Sequence, residues 1–206
     1  MTKHIAAAAV AGTLALFLGS SASSAAVLIN GSFEQPDLNG GAYASYAAGN
    51  TSITGWTIAS GSVDVVGSLW EAADGDQSLD LSGNSAGSIY QDVATIVGQA
   101  YRLSFALSGN PDGTPTSKSV KASAGTTSGN YAFDISGIGR NDMQWRIESL
   151  DFIASSAITR IAFESFSDSF YGPALDDVEL VAVPSPTAAM SGLALLAIPA
   201  LRRRGA

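Results

Sequence analysis

The side chains able to do chemistry in this 206-residue chain are carboxylates and aromatic rings. It has no cysteine, and its single histidine, His4, falls in an N-terminal segment expected to be removed. Ser-His-Asp and Cys-His catalysis and ordinary zinc chemistry are excluded on those counts, and so is a disulfide scaffold. Two acids at a set separation can hydrolyse glycosides. Asp74, Asp76 and Asp80 are available, but turns and metal sites use the same residues and their spacing is not diagnostic, so the chain reads as non-catalytic. Aromatic rings can instead stack on the C–H faces of sugars while Asp, Asn and Gln take the hydroxyls. Trp70, Tyr90, Trp145, Phe170 and Tyr171 are the candidates. Trp56, after the turn Ile53-Thr54-Gly55, is expected in the core, and Trp145 fits a core position better than a platform. Trp70 precedes the acidic loop Glu71 to Asp76 and fits either role, and Tyr171 sits at a turn and is expected to be exposed.

All 18 acidic residues lie between Glu34 and Glu179, whereas Lys3 and the run Arg202-Arg203-Arg204 lie outside. Six basic residues against eighteen acidic ones leave residues 27–183 with a net charge of −12. Nucleic acid and an anionic lipid surface are poor partners for such a domain, and a hard cation such as calcium is a compatible one.

The elements that must position these residues are strands. Between Val27 and Val183 no helical period is sustained. Short apolar or alternating runs recur at Ser62–Val66, Ser78–Leu81, Ser88–Val93, Tyr101–Leu107, Ser117–Ala122, Tyr131–Ile135, Gln144–Ala154, Ile158–Phe166 and Ala174–Val181. Gly, Asn, Asp and Pro punctuate them, as in Gly109-Asn110-Pro111-Asp112-Gly113. Many short strands with regular turns imply an all-β sandwich or barrel. In Tyr101 to Leu107 the residues Tyr101, Leu103, Phe105 and Leu107 share one face. The Ser/Gly-rich stretch from Ser123 to Asn130 reads as a loop, and there is no internal repeat.

The two ends read as addresses. Lys3 and His4 precede an apolar run from Ile5 to Leu18, followed by small residues through Ala26. That is the order of a secretory signal peptide over residues 1–26, with Ser24 and Ala26 fitting the signal peptidase and cleavage after Ala26, or after Ala25. At the other end Val183-Pro184-Ser185-Pro186 stops the last strand, Ala188 to Leu201 is apolar apart from Ser191, and three arginines follow. Positive charge after an apolar segment is held on the cytoplasmic side. This tail, residues 184–206, resembles the PEP-CTERM class of bacterial sorting signals, with serine where the class name has glutamate. The resemblance implies an exosortase-type processing enzyme as a partner and a membrane contact through the tail alone.

The domain itself carries an ordered set of short motifs: Asn30-Gly31-Ser32-Phe33-Glu34, Ile53-Thr54-Gly55-Trp56, Ser62 to Val66 and Trp70 to Gly75. These are followed by Ser78 to Gly83, Gly87-Ser88-Ile89-Tyr90-Gln91, Tyr101 to Gly113 and Tyr171-Gly172-Pro173-Ala174-Leu175-Asp176-Asp177-Val178. Together they resemble the bacterial choice-of-anchor C family, which is related to a plant cell-wall family of unknown biochemical role. The resemblance covers nearly all of residues 27–183. It implies a galactose-binding-like jelly-roll β-sandwich of the kind used by carbohydrate-binding modules, exported to the cell envelope or extracellular matrix. It implies polysaccharide as the partner, with a purely structural or adhesive surface role as the alternative.

The same resemblance implies a structural calcium site. Val178 and Leu180 should face the core, and period two places Asp176 on that face, where a carboxylate is costly unless paired or metal-bound. Carried over from carbohydrate-binding jelly rolls, Glu34 and Asp176 would be the side-chain ligands, completed by carbonyls and by Asp74 or Asp80. The alternative is that both accept backbone hydrogen bonds or pair with an arginine such as Arg102.

Overall fold

The computed structural model describes residues 28–184. The segment read as a signal peptide, with Ala26, and the part of the sorting motif formed by Ser185 and Pro186 lie outside the described residues, as does the apolar tail.

Eleven strands form two antiparallel sheets. In chain order they are β1 (Tyr43–Ala47), β2 (Thr57–Ser60), β3 (Ser62–Val66), β4 (Ser78–Asp80), β5 (Ser88–Ala94) and β6 (Ala100–Gly109). They continue with β7 (Ser117–Ala124), β8 (Thr127–Asp134), β9 (Arg146–Ile153), β10 (Ile158–Ser165) and β11 (Pro173–Ala182). One sheet has the order β1-β3-β4-β11-β6-β9 and the other β2-β5-β10-β7-β8. Apart from β3–β4 and β7–β8, each strand is followed by one in the opposite sheet, so the chain wraps a single core as a jelly-roll sandwich.

All nine segments expected to be strands are strands. β1 and β2 are additions. β1 is an edge strand whose residues are exposed or half-buried, and β2 has four residues and one fully buried side chain, Ile58. Neither carries enough apolar alternation to stand out. The stretch expected to be a loop is corrected: Ser123 and Ala124 end β7, Gly125 turns with φ +60°, and Thr127 to Asn130 begin β8. Small side chains there pair across a hairpin, Ser123 with Ser128 and Ala122 with Gly129. β8 is the edge of its sheet and β7 pairs on both sides, so low hydrophobicity here does not mean an absence of pairing.

The core lies between the sheets. Tyr101, Leu103, Phe105 and Leu107 are all buried in it, as their alternation requires. Trp56 is core too: its ring lies 5.6 Å from Phe33 and 6.3 Å from Phe163, and its Nε1 donates to the Asn30 carbonyl. Phe105 packs edge-on against Phe163 and Tyr131 at 5.1 Å each, a favoured arrangement of ring quadrupoles.

A second, smaller cluster lies on the outward face of the six-stranded sheet. Val66, Trp70, Met143 and Ala174 form it, with Leu69 and Trp145 packed against them. Two connections, residues 67–77 and 138–145, fold over this face. They bury Ala106 and Ser108 from outside the sandwich, with Ser108 Oγ donating to the Met143 carbonyl at 2.6 Å.

These overlying loops also change the reading of Asp176. Strict alternation would put it with Val178 and Leu180, but the β6–β11 register slips between Asp176 and Glu179, and Asp177 adopts φ 45°. A bulge of this kind re-aims the side chains on either side of it. Leu175 belongs to the main core and Ala174 to the outer cluster, so Asp176 shares the outward face with Ala174. It is fully buried by the loop laid over it.

Candidate functional site

β1, β3, β4 and β11 bring a polar row across the outward face of the six-stranded sheet. Ser45 stands opposite Asp64, Asp64 opposite Asp80, and Asp80 opposite Ala174. Directly opposed side chains on one face sit close together, and like charges there repel. The loops beyond the strand ends rise around Asp64 and Asp80 to form an open cleft of about 430 Å³. Its rim carries Tyr43, Phe170 and Tyr171, which are 57, 62 and 37 % exposed. Trp70 lines it from the side of the outer cluster, with its Nε1 donating to Ser78 Oγ at 2.8 Å.

The two carboxylates are treated very differently. Asp80 is buried and fully engaged: its Oδ1 accepts from the Ser82 and Gly172 amides at 2.8 and 3.0 Å, and its Oδ2 accepts from Asn110 Nδ2 at 2.7 Å. Burial pushes its carboxyl up to about 7, against the lowering effect of these donors, and the Asp64 charge adds to the rise. Gly172 is required there, because a Cβ would lie 2.5 Å from Asp80 Oδ1. Asp64 is half-buried and raised above the ordinary carboxylate range by desolvation, with a Ser45 hydrogen bond opposing. Its Oδ1 is buried and has no hydrogen-bond partner among the described residues. A buried acceptor left unpaired costs about 1–3 kcal/mol, so this oxygen has a standing demand for a donor.

Two basic residues hold the loops of the cleft. Arg140 grips Asp112 through Nε and Nη2 at 2.9 and 2.8 Å, the bidentate geometry that a guanidinium favours. Lys118 comes from the core-facing side of β7 and is fully buried. Its Nζ donates at 2.7 Å to the carbonyls of both Gly113 and Tyr171. Asn110 links the same loops, since its amide donates to the Gly172 carbonyl and its Oδ1 accepts from Asp112 N.

The residues singled out from sequence fall in three places. Trp70 and Tyr171, with Phe170, line the cleft. Trp145 packs beside the outer cluster and donates to the Glu71 carbonyl at 3.0 Å. Tyr90 is on the outward face of the other sheet, where Arg160 lies 3.7 Å over its ring while gripping Asp92. Tyr43, Asp64, Asn110, Asp112 and Arg140 were not anticipated as site residues. Asn110 and Asp112 read from sequence as turn residues, and a turn is what they form. Only the folding of that turn against β4 and β11 makes them part of a cleft.

Glu34 and Asp176 are brought to one loop. Asp176 Oδ2 accepts from the Ala73 and Asp74 amides at 2.8 and 3.0 Å, and Glu34 Oε1 accepts from the Asp76 and Gln77 amides at 2.9 and 2.8 Å. The hydrogen-bond alternative is therefore the geometry present. Burial raises the Asp176 carboxyl to about 7, opposed by these amides. Asp74 stands beside the pair, its Oδ2 accepting from Ser32 Oγ at 2.8 Å. Among the described residues no group of three acidic side chains converges closely enough to hold a metal ion by side chains alone.

A family model described as a protein of unknown function, DUF642, matches residues 26–181. The chain is 32 % identical over 177 residues to halomucin of Haloquadratum walsbyi, a match covering 82 % of this chain and 2 % of halomucin. It is also 33 % identical over 144 residues to the protein DUF642 L-galactono-1,4-lactone-responsive gene 1 of Arabidopsis thaliana, covering 65 % of this chain and 38 % of the plant protein. The chain thus spans well under half the length of these relatives. Among solved structures it is similar to TmCBM61 in complex with β-1,4-galactotriose, at 17 % identity and a TM-score of 0.47 over 76 % of this chain and 97 % of the other. It is similar to CBM35 from Paenibacillus barcinonensis at 15 % identity and a TM-score of 0.43, over 68 % and 99 % of the two chains.

Proposed function

The chain belongs to the DUF642 family, and from that premise we propose that its cleft binds extracellular polysaccharide without reacting with it. The observation that carries this reading is the partnerless, buried Asp64 Oδ1 at the base of an open cleft rimmed by exposed aromatic rings. Sugars supply both complements at once: hydroxyl donors for the carboxylate and C–H faces for the rings. A two-carboxylate hydrolytic mechanism is disfavoured by Asp80, which is buried and hydrogen-bonded through both oxygens to Ser82, Gly172 and Asn110, so that it is not exposed to pass a proton to a glycosidic oxygen. The reading includes export by the N-terminal segment and display at the cell envelope through the PEP-CTERM-like tail.

Titration against a panel of neutral and acidic polysaccharides, by affinity electrophoresis and calorimetry, is the test. We expect weak binding to at least one member, because few contacts must offset the ordering of a flexible chain. Tyr171→Ala and Tyr43→Ala should each weaken it by roughly tenfold, equivalent to about 1.4 kcal/mol. If no member binds, the structural or adhesive role stands in its place.

Calcium at Glu34 and Asp176 is a separate proposal. The carboxylates and neighbouring carbonyls are the hard oxygen donors that calcium takes. The expected result is a thermal midpoint several degrees higher in calcium than in chelator, an increase lost in Glu34→Gln. An unchanged midpoint would leave the pair as clamps on residues 73–77 alone.

A further inference from the structure

The chemistry of the cleft also indicates which glycans can enter it. This rests on the glycan-binding reading above. The floor presents Asp64, with Asp80 opposite it on β4 and already hydrogen-bonded to Ser82, Gly172 and Asn110. The nearby cations are already committed. Arg140 is held by both oxygens of Asp112, and Lys118 by the carbonyls of Gly113 and Tyr171. The unpaired oxygen at the floor is buried and, in the ionised carboxylate, accepts a hydrogen bond and cannot donate one.

We propose that the cleft selects uncharged, hydroxyl-rich glycans and rejects uronate-containing ones, with Asp64 as the residue that discriminates. A sugar hydroxymethyl group placed over Asp64 donates to Oδ1 and satisfies it. The carboxylate of the corresponding uronic acid brings a second anion against Asp64, and among the described residues the cations beside the cleft already face Asp112 or backbone carbonyls. Desolvated like charges at such range oppose binding strongly. Specificity of this kind comes from a built-in repulsion as much as from an attraction.

The test uses the full chain and matched ligands. A neutral oligosaccharide that binds in the panel is compared by calorimetry with its C6-oxidised counterpart of the same backbone and length. We expect oxidation to weaken binding at least tenfold, both at low salt and at high salt, where the long-range field of the acidic domain is screened. Asp64→Asn should weaken the neutral ligand and narrow the gap between the two. Asp112→Asn, which releases Arg140, should restore binding of the oxidised form. Equal or tighter binding of the oxidised sugar by the unmodified protein would overturn the proposal while leaving the glycan-binding reading intact. So would a gap that vanishes at high salt or persists unchanged in both variants. Absence of binding to every glycan, neutral and oxidised, would defeat the broader reading and this one with it.

Discussion

Replacing Lys118 by Met is expected to lower unfolding free energy by about 2–3 kcal/mol and to weaken glycan binding more than the loss of stability alone explains. The methionine fills the apolar path of the stem through the core but brings no donor to its end. Two carbonyls, those of Gly113 and Tyr171, then lose the charged group that joins them. Hydrogen bonds to a charged donor are worth more than neutral ones, and the part-buried Gly113 carbonyl loses its donor while the Tyr171 carbonyl keeps only the Ser169 hydroxyl. Relief from burying an ammonium offsets part of this. Desolvation already pulls Lys118 below the ordinary lysine value, with the Asp80 charge acting in the opposite sense. The loops it ties carry Asp112 on one side and Phe170 and Tyr171 on the other, so their separation alters the rim of the cleft. Urea unfolding gives the first number. Amide exchange at residues 112–114 and 169–172 gives the second, with faster exchange confined to those loops expected. Unchanged stability and unchanged exchange would mean that the buried amine does not hold the cleft together.

A second large effect is expected from pH. Asp80 is raised to about 7 in the folded protein, from an ordinary value of 3.8, because burial disfavours its charge. The folded state therefore holds this proton more tightly than the unfolded chain does. The stabilisation is fully present below about pH 4 and is lost as pH rises through about 7. Asp64, facing it from β3, is shifted in the same direction, and Asp176, under its own loop, is raised to about 7 by burial. Lys118 favours the charged form of Asp80, and the Arg140–Asp112 pair nearby contributes little net charge. The exposed Asp92, Asp134 and Asp151 are lowered by Arg160, Ser136 and Arg102 respectively, and they act the other way, but in the acid range below the ordinary carboxylate value. In chelator-containing buffer, unfolding free energy should thus fall between pH 5 and pH 8, by on the order of 2 kcal/mol for each carboxyl raised to about 7. Asp80→Asn should be less stable at pH 5, because its amide meets the Asn110 amide, and should show a shallower slope. A flat or rising profile over that interval would contradict the burial of these carboxyls.

Much of this architecture is legible in the chain. The alternation of Tyr101, Leu103, Phe105 and Leu107 specifies a strand with one buried face wherever it pairs, and the Gly, Asn and Pro clusters mark where strands must end. Trp56 is recognisable as core, since a large ring between a tight turn and a short strand has few other places to go. The lack of cysteine and of any histidine beyond His4 eliminates whole classes of chemistry without reference to shape. What remained hidden has identifiable causes. β1 and β2 are edge or short strands whose burial is slight, so hydrophobic pattern says little about them. Lys118 looks like an ordinary surface lysine beside Ser117 and Ser119; alternation with Val120 and Ala122 puts its position on the inward face, but nothing local shows that its amine ends against carbonyls 5 and 53 residues away.

Composition and periodicity by themselves determined an acidic, thiol-free sandwich and most of its strands, because those properties depend on residues within a few positions of one another. The tertiary structure alone decided that Asp64 and Asp80 stand side by side, that a bulge turns Asp176 away from the core, and that Asn110, Asp112, Arg140 and Tyr171 share a rim with Tyr43. Those facts depend on strand register and on loops folded over a sheet, where a displacement of one residue would send each side chain to the opposite face.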